Sequence, residues 1–119
     1  MAGSPWDAAG VEVLGTNDFR DGRLERPGTY VVCFGAAWCP VTRRFVPKFV
    51  ARKDSIAASL AIADVTDNSS PLWDRFRIRI TPSIVVFRDG AEALRVDGRR
   101  LIGITEARWT ELATSMRSR

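Results

Sequence analysis

The chain has 119 residues, of which 45% are hydrophobic and 27% are charged, as is typical of one folded domain. It contains no histidine and two cysteines. This composition excludes His-containing catalytic triads, histidine-ligated metal sites and a disulfide scaffold, so we expect no metal and no cofactor. The net charge of +4 comes mainly from arginines in separate groups at 43–44, 75–79 and 99–100. We therefore expect solvated charged faces and no nucleic-acid partner.

Two features of the sequence bear on location and domain limits. No stretch approaches the roughly 18 apolar residues of a membrane span, and the N-terminal part lacks the basic start and apolar block of a secretory signal. We therefore expect a cytoplasmic location and no membrane partner. Residues 1–10 contain Gly, Ser and Pro and are predicted to be a flexible segment, in which Trp6 is loose or docks on the domain. Residues 11–116 are predicted to form a single domain.

The first half of the chain predicts alternating strands and helices. A short strand is predicted at 11–14, followed by a weak helix at 19–24. The continuous apolar run at 30–34 predicts a central strand that is buried on both faces. A long helix is predicted over 40–60, with a kink at Pro47, because proline removes one backbone hydrogen bond inside a helix.

The second half begins with a predicted strand at 61–65. Ser70 then provides an N-cap and Pro71 opens a short helix that extends to residue 76. Apolar residues at 84–87 predict the next strand.

A hairpin and a final helix complete the predicted elements. Asp89–Gly90 is a two-residue hairpin signal that leads to a return strand at 93–96, and Thr105 caps the last helix. The order of elements is β-α-β-α-β-α-β-β-α. It predicts an α/β fold, a three-layer α/β/α sandwich with a mixed, mostly parallel central sheet of four to five strands.

Cys39 is the candidate nucleophile, because it lies between a predicted buried strand and the first turn of a helix. The first N–H groups of a helix have no internal partner, and the helix dipole favours negative charge at that end. A thiolate is stabilised at such a position, so we predict a lowered pKa for Cys39. Arg43 and Arg44 add positive charge one turn later, and Trp38 provides one wall of the site.

The segment from Val31 to Pro47 resembles the active-site segment of the thioredoxin family: an apolar strand, Trp38-Cys39, a helix, and a proline eight residues after the cysteine. The segment Ile80-Thr81-Pro82-Ser83, followed by an apolar strand and Asp89-Gly90, resembles the cis-proline loop and hairpin of that family. Gly98 resembles the glycine after its last strand. The resemblance covers residues 11–116.

The resemblance implies a thioredoxin fold and a cis peptide bond before Pro82. It also implies that a substrate chain pairs with the backbone of Thr81 and that Trp38 and Pro40 face the substrate.

The chain departs from the family pattern at three positions. The family motif Trp-Cys-x-x-Cys reads Trp-Cys-Pro-Val-Thr here, so Thr42 stands where the resolving cysteine would be. Cys33 matches the family's buried aspartate, and Gly35 matches a common aromatic. Thr42 either donates a hydrogen bond to the Cys39 thiolate or fills the volume of the missing cysteine. Cys33 is interpreted as a small buried hydrophobe, and a resolving role for it is the minor alternative.

Other aromatic and basic residues have simpler interpretations. Trp73 and Trp109 lie at core spacing on predicted helices, so we predict that they pack in the interior. Arg79 lies two residues before Thr81 and could favour acidic partners, but a solvated surface residue is the simpler interpretation.

These features predict a monothiol thiol–disulfide oxidoreductase that forms mixed disulfides through Cys39 with protein or glutathione disulfides. An external thiol would then release the substrate. Dithiol reductase activity should be weak, because an intramolecular thiol has an effective concentration on the order of 10⁵ M or more. The alternative is a non-catalytic binding or chaperone-like module for an unidentified protein partner. A dimer-bridged iron–sulfur cluster is disfavoured, because the glycine-bearing motif of monothiol glutaredoxins is absent.

Overall fold

The computed structural model describes residues 3–117, and no helix in this part of the chain is long and apolar enough to cross a membrane. The strands are β1 (Glu12–Leu14), β2 (Phe19–Arg20), β3 (Arg23–Leu24), β4 (Thr29–Gly35), β5 (Ser59–Asp64), β6 (Ser83–Arg88) and β7 (Ala91–Asp97). The α-helices are α1 (Pro40–Val50), α2 (Leu72–Arg75) and α3 (Glu106–Arg117).

The central sheet has five strands in the order β1-β5-β4-β6-β7. The β1–β5 and β5–β4 pairs are parallel, whereas the β4–β6 and β6–β7 pairs are antiparallel. Strands β1, β5, β4 and β7 therefore run in one direction and only β6 runs against them, which confirms the mixed, mostly parallel sheet. The β6–β7 connection is a two-residue hairpin, which can join only antiparallel strands.

Both faces of the sheet are covered. Successive side chains of a strand point to opposite faces, and along β4 Val31 and Cys33 pack on one face while Val32 and Phe34 pack on the other. Helices α1 and α3 contribute to the first core cluster, and α2 with the β2–β3 hairpin contributes to the second. This arrangement confirms the three-layer sandwich and a central strand buried on both sides.

The predicted helix at 19–24 is wrong. These residues form the antiparallel pair β2–β3, in which Phe19 pairs with Leu24. Asp21 and Gly22 connect the two strands with φ angles of 52° and 74°. This is the left-handed conformation of a two-residue hairpin turn. The same Asp-Gly signal that predicted the later hairpin was therefore present here as well.

Helix α1 ends at Val50, about one half of the way along the helix predicted over 40–60. Beyond it the backbone forms single turns, in which Arg52 donates to the Phe49 carbonyl and Ser55 to the Arg52 carbonyl. Ser59 already pairs with Tyr30 in the sheet. Residues 51–58 must therefore return the chain to the sheet, and this tertiary requirement shortens the helix.

The structure confirms the turn and the helix caps that were predicted in the second half of the chain. Asp89 and Gly90 have positive φ angles of 48° and 89° and join β6 to β7. The Thr105 hydroxyl oxygen accepts a hydrogen bond of 3.2 Å from Arg108 N at the start of α3. Helix α2 begins at Leu72, whose N–H donates to the Ser70 hydroxyl.

The described part of the N-terminal segment packs on the domain through Trp6. Its side chain is 8% exposed and belongs to the core cluster on the α1 face. The indole N–H donates to the Gly35 carbonyl oxygen at 3.4 Å. Of the two alternatives for Trp6, docking is therefore correct, while Met1 and Ala2 lie outside the described residues.

Candidate functional site

Cys39 occupies the N-cap of α1, directly after the end of the central strand β4 and its small-residue loop. Its N–H donates to the Ala36 carbonyl at 3.1 Å, which forms a tight turn before the helix. Pro40 is the first helical residue and is exposed, at a position where its missing N–H costs no hydrogen bond. The cysteine is only partly buried, so its sulfur is accessible at the positive end of the helix dipole.

Two opposing effects act on the acidity of Cys39. Partial burial raises the pKa of the thiol, but the nearby hydroxyl groups of Thr42 and Thr81 and the N–H groups of Thr42 and Val41 favour the thiolate. These polar groups prevail, and the pKa lies below the ordinary value of 9.0. At neutral pH a larger fraction of this thiol is therefore ionised than of a free cysteine.

Thr42 lies one turn after Cys39 and is fully buried. Its Oγ1 forms no hydrogen bond of standard geometry with any described group, so its effect on Cys39 is that of a hydroxyl dipole beside the sulfur. Its methyl group points at Gly35, where a Cβ would lie 2.7 Å from Thr42 Cγ2. Both interpretations of Thr42 therefore have a structural basis: the methyl group fills volume, and the hydroxyl favours the anion.

Cys33 and Cys39 contribute to different core clusters. Cys33 is fully buried in the cluster formed with α1 and α3, whereas Cys39 packs against the cluster formed with α2. Both cysteines are free, and burial raises the pKa of the Cys33 thiol. Its complete burial supports the interpretation of Cys33 as a small buried hydrophobe.

A shallow groove of about 190 Å³ borders Cys39; its lining residues are Trp38, Cys39, Trp73, Arg79, Ile80 and Thr81. Trp38 is 53% exposed and stacks on Trp73, with the ring centres 6.3 Å apart and the planes 15° from parallel. The prediction that Trp73 packs in the interior is therefore met only in part, since its ring packs against the core cluster on the α2 face but is half-buried and forms the second wall of the groove. No local pattern could pair two tryptophans that are distant in the sequence.

The loop before Cys39 is held by polar groups that the sequence did not single out. Ala37 N donates to Thr66 Oγ1 at 3.0 Å, and that hydroxyl donates to Asp64 at 2.6 Å. The Trp38 indole N–H donates to the Thr66 carbonyl at 2.9 Å. Arg43 turns back and donates to the Ala37 carbonyl at 2.7 Å, so its charge lies beside this loop.

The Thr81–Pro82 peptide bond is cis, and Pro82 is buried. The Cys39 sulfur lies 3.6 Å from the Thr81 carbonyl oxygen, so the cysteine and the proline loop are in direct contact. A Cβ at Gly98 would lie 2.2 Å from the Pro82 carbonyl oxygen, so this close approach requires glycine.

The loop at 98–103 packs against Pro82 and against the first turn of α1. At Gly103 a Cβ would lie 2.8 Å from Val41 Cγ1, which shows how closely the loop packs on α1. At its tip, Leu101 and Ile102 are 78% and 61% exposed. Exposed apolar side chains next to a reactive group are typical of an interaction surface.

Within residues 3–117 there is no group of three or more His, Cys, Asp or Glu side chains that could hold a metal ion. The expectation of no cofactor stays a prediction.

Comparison with known proteins gives a consistent result. The family model described as Thioredoxin matches residues 10–106. Protein disulfide-isomerase A3 of Gallus gallus is 33% identical over 95 residues, which are 78% of this chain and 19% of the relative. The chain thus spans about a fifth of the length of that relative.

Two solved structures show the same fold. Thioredoxin f2 of Chlamydomonas reinhardtii superposes with a TM-score of 0.74 at 14% identity, covering 92% of this chain and 99% of the other. The thioredoxin of Fasciola hepatica has a TM-score of 0.62 at 27% identity, with 76% and 82% coverage.

Proposed function

This chain belongs to the thioredoxin family, and on that premise we propose that it is a monothiol thiol–disulfide oxidoreductase that acts through Cys39. The observation that carries the proposal is the pairing of an acidified, accessible cysteine at the N-cap of α1 with a buried threonine at the resolving position. The disulfide-isomerase relative supports thiol–disulfide exchange as the reaction class.

In the first step the Cys39 thiolate attacks one sulfur of a substrate disulfide. A bond forms between Cys39 and that sulfur, and the substrate's second sulfur leaves as a thiolate, which takes a proton from solvent. No electrons are gained or lost overall in this exchange. The lowered pKa increases the fraction of attacking thiolate at neutral pH, and the N–H groups of Val41 and Thr42 stabilise it.

The second step requires a thiol from outside the chain, because Thr42 has no sulfur and the Cys33 thiol is fully buried and protonated. Glutathione or a protein thiol attacks the mixed disulfide and restores the Cys39 thiolate. The substrates are therefore protein or glutathione disulfides. We propose a cytoplasmic setting, since a reduced glutathione pool would supply the second thiol.

Substrate binding is assigned to the surfaces on both sides of Cys39. The stacked rings of Trp38 and Trp73 offer a flat apolar wall, and Thr81 offers backbone next to the sulfur. A peptide chain that pairs with Thr81 would bring its own sulfur toward Cys39. These surfaces would serve equally in the competing function, a binding module that makes no use of the sulfur.

Alkylation of Cys39 by iodoacetamide as a function of pH tests the proposal. We expect the midpoint of the alkylation rate to lie clearly below the ordinary cysteine pKa of 9.0. We also expect Cys39→Ser to abolish exchange with a glutathionylated peptide in the presence of glutathione. A normal midpoint, or full binding and biological activity in Cys39→Ser, would support the binding module instead.

A further inference from the structure

We propose that Trp6 is a positioning residue for Cys39: its indole fills the space next to Gly35 and thereby fixes the side chain of Thr42 beside the sulfur. The inference rests on the proposed function of Cys39 and assigns a part of that site to the N-terminal segment.

Gly35 is the point at which these side chains meet. The position that a Cβ of residue 35 would take lies 3.8 Å from Trp6 Cζ2 and 2.7 Å from Thr42 Cγ2. The backbone of Gly35 has no positive φ, so nothing in its conformation requires a glycine. The glycine is therefore explained by packing, because Thr42 occupies the position that a Cβ would take and the Trp6 ring lies in van der Waals contact with that position.

The Trp6 ring is held in this place by one hydrogen bond to Gly35 and by the anchoring of the backbone before it. Its indole N–H donates to the Gly35 carbonyl at 3.4 Å. The preceding Ser4 hydroxyl donates to Asp64 at 2.7 Å and accepts the Trp6 N–H at 3.1 Å. Asp64 also accepts the hydroxyl of Thr66, which in turn holds the loop before Cys39. The N-terminal segment is thus connected to the reactive loop on two routes.

Thr42 carries the effect of Trp6 to the sulfur. It is fully buried, its methyl group is directed at Gly35, and its hydroxyl has no partner of standard geometry among the described residues. No hydrogen bond therefore fixes its rotamer, and packing alone does so. If the indole were absent, the methyl group could move toward the vacated space and the hydroxyl would leave the sulfur.

The test compares the pH profile of Cys39 alkylation in the full-length protein and in Trp6→Ala. We expect the profile of Trp6→Ala to move to higher pH, with the thiolate fraction at pH 7 lowered about threefold or more. Trp6→Phe retains a ring next to Gly35 and should restore a profile close to that of the unmodified protein. Leu112→Ala, which removes a buried side chain of the same core cluster, should leave the profile unchanged.

A double substitution shows whether Thr42 carries the effect. In a Thr42→Val background Trp6→Ala should cause no further shift, because the hydroxyl is already gone. Should Trp6→Ala not fold, Gly35→Ala provides the same test, since its methyl group would displace Thr42 while leaving Trp6 intact. A lowered pKa in the unmodified protein together with unchanged profiles in Trp6→Ala and Gly35→Ala would overturn this inference alone. A normal pKa in the unmodified protein would overturn the proposed function.

Discussion

The buried hydroxyl of Thr42 lies beside the Cys39 sulfur and has no other polar partner within residues 3–117. A buried hydroxyl without a partner carries an unrecovered desolvation cost. Ionisation of Cys39 reduces this cost, because the thiolate can accept from the hydroxyl. The residue that replaces the resolving cysteine therefore ties the stability of the protein to the protonation of its reactive thiol.

Thr42→Val should raise the pKa of Cys39 and leave the folded protein at least as stable as before. Valine has nearly the same shape, so the substitution removes the hydroxyl without making a cavity. We expect stability to increase by up to about 1 kcal/mol at a pH low enough for Cys39 to be protonated. Urea unfolding and alkylation at several pH values measure the two effects. A loss of stability with an unchanged pKa would show that the hydroxyl has a different partner.

Thr42→Cys should convert the protein into a dithiol enzyme. The new thiol would lie one helical turn from Cys39 and could release a bound substrate without help from solution. Insulin reduction with dithiothreitol should increase by about tenfold or more, and its dependence on added glutathione should disappear. Thr42→Ser is the matched control and should show no gain. Equal activity of the Cys and Ser variants would mean that release of the substrate does not limit turnover.

Cys33 should weaken the protein at alkaline pH. Burial raises the pKa of its thiol in the folded state, whereas the unfolded chain has the ordinary value of 9.0. The unfolded state therefore loses this proton first, and stability falls by about 1.4 kcal/mol for each pH unit above that value. The effect of Cys39 on stability has the opposite sign, because its pKa is lowered in the folded state. Its contribution to the free energy of unfolding grows as the pH rises toward 9.0, and it is lost as the pH falls through the lowered pKa.

Comparing Cys39→Ser with the Cys33→Ala, Cys39→Ser double variant isolates the effect of Cys33. Denaturant unfolding between pH 8.5 and 10.5 should give a steeper loss of stability when Cys33 is present. Parallel curves for the two proteins would contradict a buried, protonated Cys33.

The double substitution Leu101→Ser, Ile102→Ser should weaken the recognition of protein disulfides without harming the fold. Both side chains are largely exposed, so the free energy of unfolding should change by no more than about 0.5 kcal/mol. KM for a protein disulfide should increase several-fold, whereas KM for a small glutathione disulfide should be unchanged. Glu111→Ser, at an exposed position on α3, is the control. Equal increases in both KM values would place the effect at Cys39 itself.

The sequence by itself determined the features that depend on neighbouring residues. The apolar run of β4 identified a strand buried on both faces, and Cys39-Pro40 marked the start of a helix. The Asp89–Gly90 turn and the Thr105 cap were read correctly, because such signals act over two to four residues. The wrong prediction of a helix at 19–24 also concerned a local signal. In the structure the Asp21–Gly22 turn makes these residues a hairpin, although they carry a weak helical pattern.

Only the tertiary structure decided which distant residues meet at the sulfur. Trp6 lies beside Gly35, and Trp73 stacks on Trp38. Each contact joins two segments that no periodic pattern in the sequence relates. The end of α1 was likewise set by the distance back to β5 rather than by its own residues. Because successive side chains of a strand alternate between its two faces, the sequence already determines that Cys33 and Phe34 point to opposite faces of the sheet. Which helices cover each face depends on the path of the whole chain.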